Sequence, residues 1–182
     1  MLGNIPSNST STTEPAICTI FPFNGCFDMK KKFIYTGVII SLLVLIDQAS
    51  KALIIQNLAH AAKKITFFLN FLVSYNYGIS FGLFAEYTHY SNKIFLICNS
   101  VILLIIFIFS ILEKDKAMFT GYCYILGGGI GNLVDRVNKG AVVDFIDLHY
   151  KNFHFPIFNL ADMFISLGFL IVAYKILKSG KP

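Results

Sequence analysis

The sequence predicts a mainly α-helical membrane protein with four transmembrane helices and a small extracytoplasmic β-sheet resting on the outer surface of the membrane. Three observations predict this fold class. Of the 182 residues, 55% are hydrophobic and only 14% are charged, whereas about 25% of residues are charged in a typical soluble domain. The chain contains four long apolar stretches. Lysines cluster beside these stretches, which is typical of the cytoplasmic loops of membrane proteins.

The first 28 residues differ in composition from the rest of the chain. Residues 1–15 are rich in Ser, Thr and Asn, and they lack the basic and apolar segments of a secretory signal. Met29, followed by three lysines, has the character of a membrane-protein start. We therefore expect residues 1–28 to be a disordered tail or the product of a mis-assigned upstream start, and residues 29–182 to form a single four-span domain.

Each predicted span approaches the roughly 20 residues that a helix needs to cross about 30 Å of hydrocarbon. The third span is the weakest, because a run of glycines interrupts it. If the lysine clusters lie in the cytoplasm, four spans place both termini there. The predicted spans are approximately residues 33–55, 94–112, 117–134 and 160–177.

The β-sheet is predicted from the segment between the first two spans. Residues 65–75 are rich in aromatic and β-branched side chains, which favours short strands. A fifth helix here would give an odd number of spans and would break the lysine pattern. The outer segments would then be residues 56–92 and 138–159.

The composition excludes several other functions. A net charge of +5 does not indicate nucleic-acid binding here, because the lysines flank the spans instead of forming a basic groove. No CxxC pair is present among the four cysteines, so we expect neither zinc binding nor thiol redox chemistry. We predict no metal site and no cofactor. We interpret His149 and His154 as surface residues of a loop without ligand spacing, and we expect Asp147 to be solvated.

Four aspartates are predicted to reach one layer of the outer leaflet. Asp47 lies about 22 Å beyond Lys32 along a helix, Asp135 lies near the outer end of the third span, Asp144 lies in the following loop, and Asp162 begins the fourth span. Ionisable groups at membrane depth are costly and usually functional. Two carboxylates that share one proton can act as a general acid and base. Depth alone does not decide which two do so.

Asp47 and Lys51 lie four residues apart, in the favourable order for an ion pair on one helix. That pair either neutralises itself near the interface or orients a site. Asn76, next to glycines, indicates either a plain turn or an amide that contacts a ligand. Asp144 has apolar neighbours, which should raise its pKa by desolvation.

The glycine-rich stretch of residues 127–131 lacks the Lys-Ser/Thr ending of a phosphate-binding loop, so it indicates close helix packing instead. Asn132, Asp135 and Arg136 share one helix face. A charge balance between Asp135 and Arg136 is one interpretation, and Arg136 as a donor to a carbonyl or phosphate is the other. Asn159 is the expected N-cap of the last helix.

These residues belong to five motifs that follow one another along the chain: DQxxK, NxGxxF, GGxxGNxxDR, VxDF and FNxAD. At these motifs the sequence resembles lipoprotein signal peptidase, the signal peptidase II family of bacterial inner membranes, over about residues 29–177. The resemblance implies that Asp144 and Asp162 are the catalytic pair. It also implies that other polar residues bind substrate or shape the site: Asp47, Lys51, Asn76, Asn132, Asp135, Arg136 and Asn159. Ile79 and Ser80 replace the alanine that many members carry in the second motif.

The resemblance implies a membrane aspartic endopeptidase that removes signal peptides from prolipoproteins, cleaving before the diacylglyceryl-cysteine. Its partners would be the diacylglyceryl-modified prolipoprotein and membrane lipid, with no nucleic acid, and it would act as a monomer at the outer face of the inner membrane. A proton-coupled transporter is the alternative, but its carboxylates should lie nearer the membrane midplane. A membrane scaffold without enzymatic activity would not need paired acids.

Overall fold

The chain folds into helices at all four predicted positions. The computed structural model describes residues 29–58, 61–78 and 88–179. The predicted tail, residues 1–28, lies outside them. Each helix extends beyond its predicted span by a few residues at one or both ends. The helices are α1 (Met29–Leu58), α2 (Thr88–Leu112), α3 (Lys116–Lys139) and α4 (Leu160–Ser179).

Within the described residues, three helices are long and apolar enough to cross a membrane: Lys30–Leu58, Asn92–Leu112 and Leu160–Lys178. Most of their apolar side chains face outwards, and only 6% of the most apolar part of α2 is buried inside the protein. Apolar side chains that cover a helix surface require lipid around them. The chain is therefore a membrane protein. The remaining helix, α3, is continuous, but glycines and polar residues interrupt its apolar sequence.

Helix α3 packs against the other three helices, and its glycines permit the close contacts. A Cβ atom at Gly128 would overlap the backbone of Ala161 in α4, and one at Gly127 would lie 2.7 Å from Leu43 in α1. A side chain at Gly121 would lie 2.9 Å from the carbonyl oxygen of Gly168 in α4. The expected role of the glycine run in packing is confirmed by these distances.

Polar contacts fix the end of the helices at which α3 begins. The Asp115 side chain caps α3 by accepting hydrogen bonds from the N–H groups of Ala117 and Met118, at 2.9 and 3.0 Å. It also forms an ion pair with Lys175 near the end of α4, at 2.7 Å. Lys32 Nζ donates to the Ile111 carbonyl at the end of α2, at 2.7 Å. The start of α1 and the ends of α2 and α4 therefore lie together.

An antiparallel sheet lies at the other end of the helices, as the β-branched segment predicted. Its order is β1-β2-β3-β4. In β2, an irregularity between Phe71 and Ser74 shifts the register with β3, so that Ser74 lies opposite Asp144. The strands are β1 (Lys63–Lys64), β2 (Leu69–Asn76), β3 (Val142–Tyr150) and β4 (Phe153–His154).

We predict that Gly128→Ala destabilises the protein, because its Cβ would push α3 away from the Ala161 backbone. Overpacking of this kind typically costs about 1–3 kcal/mol. Gly37→Ala is the matched control, since nothing lies within 4 Å of a Cβ there; it should be neutral or stabilise by up to about 1 kcal/mol. Cys123 is fully buried, so its reaction with a thiol dye, with the other cysteines replaced by serine, measures unfolding. Equal unfolding midpoints for Gly128→Ala and Gly37→Ala would contradict the role of Gly128 in helix packing.

Candidate active site

Asp144 lies in the middle of the junction between sheet and helices. Its side chain is buried, with 3% of the residue exposed. One carboxylate oxygen accepts a hydrogen bond from Asn159 Nδ2 at 2.6 Å, and the other accepts one from Asn76 Nδ2 at 2.9 Å. Asn76 ends β2 and begins a turn, where its Oδ1 accepts from the N–H of Gly78 at 2.8 Å. Asn76 therefore both forms the turn and contacts Asp144.

Asp162 lies in the first turn of α4, where it exchanges hydrogen bonds with Asn159. The N–H of Asp162 donates to Asn159 Oδ1 at 2.9 Å, and the N–H of Asn159 donates to Asp162 Oδ2 at 3.2 Å. This reciprocal pair is a capping box, which satisfies two free N–H groups of the helix. The predicted N-cap role of Asn159 is thus confirmed, and the cap fixes the Asp162 carboxylate in place.

Two amide side chains link the carboxylates of Asp144 and Asp162. Asn132 Nδ2 donates to Asp162 Oδ1 at 2.8 Å, and Asn132 Oδ1 lies 3.1 Å from Asn159 Nδ2, which also contacts Asp144. In the part of the chain that the structure describes, no Lys or Arg forms an ion pair with either aspartate. The two carboxylates are therefore oriented by neutral groups.

Asp144 is poised to change its protonation state near neutral pH. Burial is the largest influence, and it raises the pKa of Asp144 from 3.8 to about 6. The hydrogen bonds from Asn76 and Asn159 act in the opposite direction, whereas the nearby charge of Asp162 raises the pKa further. The pKa increase expected from the apolar neighbours in the sequence is confirmed. A neutral carboxylic acid at this position can donate a proton.

A buried ionic cluster lies beneath the two carboxylates. Lys51 Nζ lies 2.8 Å from Asp47 Oδ2 and 2.8 Å from Asp135 Oδ2, and all three side chains have no exposed surface. Lys51 also donates to Asn132 Oδ1 at 3.1 Å. Because that oxygen faces Lys51, the Nδ2 group of Asn132 is turned towards Asp162. The predicted ion pair of Asp47 and Lys51 is present, and it orients part of the site as well.

The two carboxylates of the cluster also hold the backbone. Asp47 Oδ1 accepts from the N–H of Ala161 at 3.0 Å, and Asp135 Oδ2 accepts from the N–H of Val143 at 3.2 Å. Ala161 immediately precedes Asp162, and Val143 immediately precedes Asp144. Each supporting aspartate therefore positions the chain next to one member of the pair.

The expected charge balance between Asp135 and Arg136 is wrong. Asp135 binds Lys51 and Lys139 instead, the latter at 2.7 Å. Arg136 is 7% exposed, and its guanidinium lies 5.1 Å from the Phe95 ring centre. It interacts electrostatically with Asp144 and Asp162, and its Nε and Nη1 atoms have no hydrogen-bond partner among the described residues. Consecutive helix positions point in different directions, which separates the two charges.

Sequence reasoning missed two residues of the cluster. Gln48 Nε2 donates to the Gly131 carbonyl at 3.0 Å and to Asp47 Oδ2 at 3.1 Å, which joins α1 to α3. The position of Gln48 next to Asp47 in the DQxxK motif was the sequence signal that could have identified it. Lys139 lies four residues after Asp135, which is ion-pair spacing.

The second motif is described only as far as Gly78, so Ile79 and Ser80 lie outside the described residues.

The expected solvation of Asp147 and the expected loop position of the two histidines are also wrong, although His154 is exposed as predicted. Asp147 is buried, with 2% exposed, because Asn70 and His154 cover it with hydrogen bonds of 3.0 and 2.8 Å. His149 and His154 belong to paired strands, and they lie opposite each other in the register of β3 and β4. Strand pairing brings these residues together although their spacing along the chain is irregular.

Solved structures with the same fold define the class of protein. Two structures, each described as a bacterial membrane enzyme and determined at 2.3 and 1.9 Å, superpose with TM-scores of 0.67 and 0.69 at 29% and 28% sequence identity. Each match covers 79% of this chain, and the matches cover 88% and 93% of the two solved chains. The fold is therefore that of a bacterial membrane enzyme.

The family follows from the sequence comparisons. The family model described as Signal peptidase (SPase) II matches residues 39–178. The lipoprotein signal peptidase of Rickettsia conorii is 48% identical over 143 residues, which are 77% of this chain and 71% of the relative. That of Rickettsia prowazekii is 50% identical over 137 residues, covering 74% and 71% of the two chains. The chain belongs to the signal peptidase II family, a family of proteases, and the predicted resemblance is confirmed.

We predict that Lys51→Met destabilises the protein strongly, because it leaves Asp47 without its ion-pair partner inside the protein. Breaking a buried pair in this way costs about 3–5 kcal/mol. Adding Asp47→Asn should recover much of the loss, since Asp135 keeps Lys139 at 2.7 Å. Thermal unfolding of both variants measures this, with the exposed Lys93→Met as a control. A double variant no more stable than Lys51→Met would contradict the charge argument.

Proposed function

We propose that the protein is an aspartic endopeptidase that removes the signal peptide from lipid-modified prolipoproteins, with Asp144 and Asp162 as its catalytic pair. The observation that carries this proposal is the amide chain that holds both carboxylates without neutralising either. An acid and a base can coexist in such a pair, since each carboxylate disfavours ionisation of the other. The relatives in Rickettsia carry the name lipoprotein signal peptidase, which supports this substrate class.

We assign the shared proton to Asp144, which is more deeply buried than Asp162 and whose pKa is raised to about 6. Asp162, as the ionised member, accepts a proton from water while the water oxygen attacks the scissile carbonyl. Asp144 donates its proton to the carbonyl oxygen in the same step. When the C–N bond breaks, Asp162 returns the proton to the leaving nitrogen, and Asp144 recovers its own from the collapsing hydroxyl group.

Other residues support these steps in the proposal. Arg136 lies near both aspartates with unpaired guanidinium atoms, so it could donate to a substrate carbonyl or to a lipid head group. Asn76, Asn132 and Asn159 orient the carboxylates. The chemistry of this mechanism uses water and the two acids, with no metal in the reacting centre. Cleavage before the diacylglyceryl-cysteine would place the lipid chains of the substrate in the surrounding bilayer.

We assign α3 as the fourth span, in a single domain that extends over residues 29–182. Its 24 residues are enough to cross about 30 Å of hydrocarbon, and the other helices shield its glycines and polar groups from lipid. Lys32 and Lys175 lie at the end of the helices opposite to Asp144 and Asp162. A cytoplasmic position for this basic end puts both termini in the cytoplasm, and the site and sheet at the outer face of the inner membrane.

A monomer suffices for this proposal, because one chain supplies both carboxylates and their amide partners. The transporter hypothesis is not favoured, since the family is a family of proteases. Asp144 and Asp162 also lie at one end of the helices, whereas a transporter would place its carboxylates near the midplane.

We predict that Asp144→Asn and Asp162→Asn each lower cleavage of a lipid-modified substrate by about 100- to 10,000-fold, because a proton-transfer group is removed. The assay uses purified protein in detergent with a synthetic lipopeptide. Asp147→Asn is the matched control: it lies on the same strand and is equally buried, yet it has no part in the proposed pair. The control should retain cleavage.

Correct folding of each variant is established from its thermal unfolding and from Cys123 labelling. Near-normal cleavage by either Asp144→Asn or Asp162→Asn would overturn the catalytic assignment. Loss of cleavage in Asp147→Asn as well, with all three proteins folded, would show that the effect is not specific to Asp144 and Asp162 and would equally contradict the catalytic assignment.

We predict that the decline of activity on the basic side of the pH profile occurs at a higher pH for kcat than for kcat/KM. The free-enzyme profile should decline as the pH rises through about 6, where Asp144 loses its proton. Bound substrate displaces water from the site, and further desolvation raises a carboxyl pKa. The decline of kcat should therefore move to higher pH. The midpoints of these declines are apparent pKa values that belong to the pair of aspartates. A shift of the midpoint to lower pH on substrate binding would contradict the assignment of the proton to Asp144.

A further inference from the structure

A second cluster of titratable side chains lies on the sheet, outside the proposed catalytic pair. Asp147 and His149 are two residues apart on β3, and His154 lies directly opposite His149 on β4. Asn70 lies opposite Asp147 on β2. Side chains two apart on one strand share a face, as do directly opposite side chains on paired strands. Three strands therefore direct these four side chains to one point.

This point lies across the sheet from Asp144. Asp144 and Asp147 are three residues apart on β3, whose pairing with β2 is regular on the β3 side. Residues separated by an odd number on a strand face opposite sides of the sheet. The contacts agree, since Asp144 hydrogen-bonds to Asn76 and Asn159, whereas Asp147 hydrogen-bonds to Asn70 and contacts His154. Asp144 and Asp147 share β3, but among the described residues no side chain hydrogen-bonds to both of them.

The ligand atoms of the cluster converge. One atom from each of Asp147, His149 and His154 can be chosen so that all three lie within 4.8 Å of one another. His154 Nδ1 lies 2.8 Å from Asp147 Oδ1, and His149 Nδ1 lies 3.9 Å from Asp147 Oδ2. The two imidazole rings are stacked with centroids 5.1 Å apart. A metal ion with bonds of about 2.0–2.2 Å needs only a small adjustment of these side chains.

We propose that Asp147, His149 and His154 form a binding site for a divalent transition-metal ion of the zinc class. Two imidazoles and one carboxylate are a ligand set that zinc uses with a water molecule as fourth ligand. Mg²⁺ and Ca²⁺ prefer oxygen ligands, so the imidazoles select against them. The His154 side chain is 53% exposed, which leaves an open path for the ion and room for the water.

Asn70 orients two of the proposed metal ligands, Asp147 and His149, without binding the ion itself. Its Nδ2 group donates to Asp147 Oδ2 at 3.0 Å and lies 3.4 Å from His149 Nδ1. A ring nitrogen that faces an amide donor carries a lone pair, as a metal ligand must. At His154, the ion replaces the proton between Nδ1 and Asp147, and that proton is released to water.

Metal binding at this point would clamp β3 to β4. The turn between these strands contains Lys151 in a left-handed conformation, with φ of 54°, and β4 has only two residues. A bond from each strand to one ion would add a cross-link to this short hairpin. The site therefore stabilises the sheet from the face opposite to Asp144.

The test measures Zn²⁺ binding by isothermal titration calorimetry. The full chain is purified in detergent without a polyhistidine tag, freed of metal by a chelator, and titrated with ZnCl₂ or with MgCl₂. We expect one Zn²⁺ per chain and no binding of Mg²⁺. Co²⁺ should give the intense visible absorption of a four-coordinate ion.

Variants distinguish the cluster from other zinc ligands. Asp147→Asn and His154→Ala should weaken Zn²⁺ binding by more than about 100-fold, and Asn70→Ala by about 10- to 100-fold, as for the loss of an outer partner. His154→Cys should keep binding and add a thiolate-to-Co²⁺ absorption band. His60→Ala is the control for removal of a histidine, and it should bind as the parent protein does.

The proposal is overturned if the parent protein binds no Zn²⁺, or if Asp147→Asn and His154→Ala bind it as tightly as His60→Ala. A purely structural hydrogen bond between Asp147 and His154 predicts that second result. Circular dichroism establishes that each variant is folded. The measurement uses no peptide substrate, so its outcome is independent of the proposed cleavage reaction.

Discussion

One buried ammonium group sustains the arrangement of the site. Lys51 lies 2.8 Å from both Asp47 and Asp135, in a place where none of the three side chains reaches solvent. Removing charges from water costs several kcal/mol for each ion. Asp47 therefore depends on Lys51 for its charge partner, whereas Asp135 also has Lys139 at 2.7 Å. Because Asp47 and Asp135 hold the backbone beside Asp162 and Asp144, the positions of both members of the proposed catalytic pair are tied to the ionic cluster around Lys51.

The ionic cluster and the proposed catalytic pair use different kinds of partner. Asp47 and Asp135 form ion pairs with Lys51, and Asp135 also pairs with Lys139. Asp144 receives hydrogen bonds from neutral amides only. Amides orient a carboxylate without cancelling its charge, so burial can raise its pKa to about 6. Four carboxylates that look alike in the sequence are thereby divided into a pair that binds lysines and a pair that binds neutral amides.

Much of this organisation was predictable from local patterns. Hydrophobic runs located the four helices, the β-branched segment located β2, and the motifs selected nine polar residues that the structure brings to one region, although Gln48 and Lys139 of the same region were missed. The predictions that were wrong concern partners. A charge balance between Asp135 and its neighbour Arg136 was one interpretation, but Asp135 binds Lys51, 84 positions away in sequence order. Asp147 was expected in solvent, but cross-strand neighbours bury it.

The sequence by itself determined where the chain is apolar, which segments form helices, and which side chains can ionise, because these properties belong to single residues or to neighbours along the chain. Only the tertiary structure decided which ionisable groups meet. The hydrogen bond from Ala161 to Asp47 spans 114 positions, and that from Lys51 to Asn132 spans 81. Such contacts depend on how close α3 can approach α1 and α4, and that approach is set by glycines whose partners are remote in the chain.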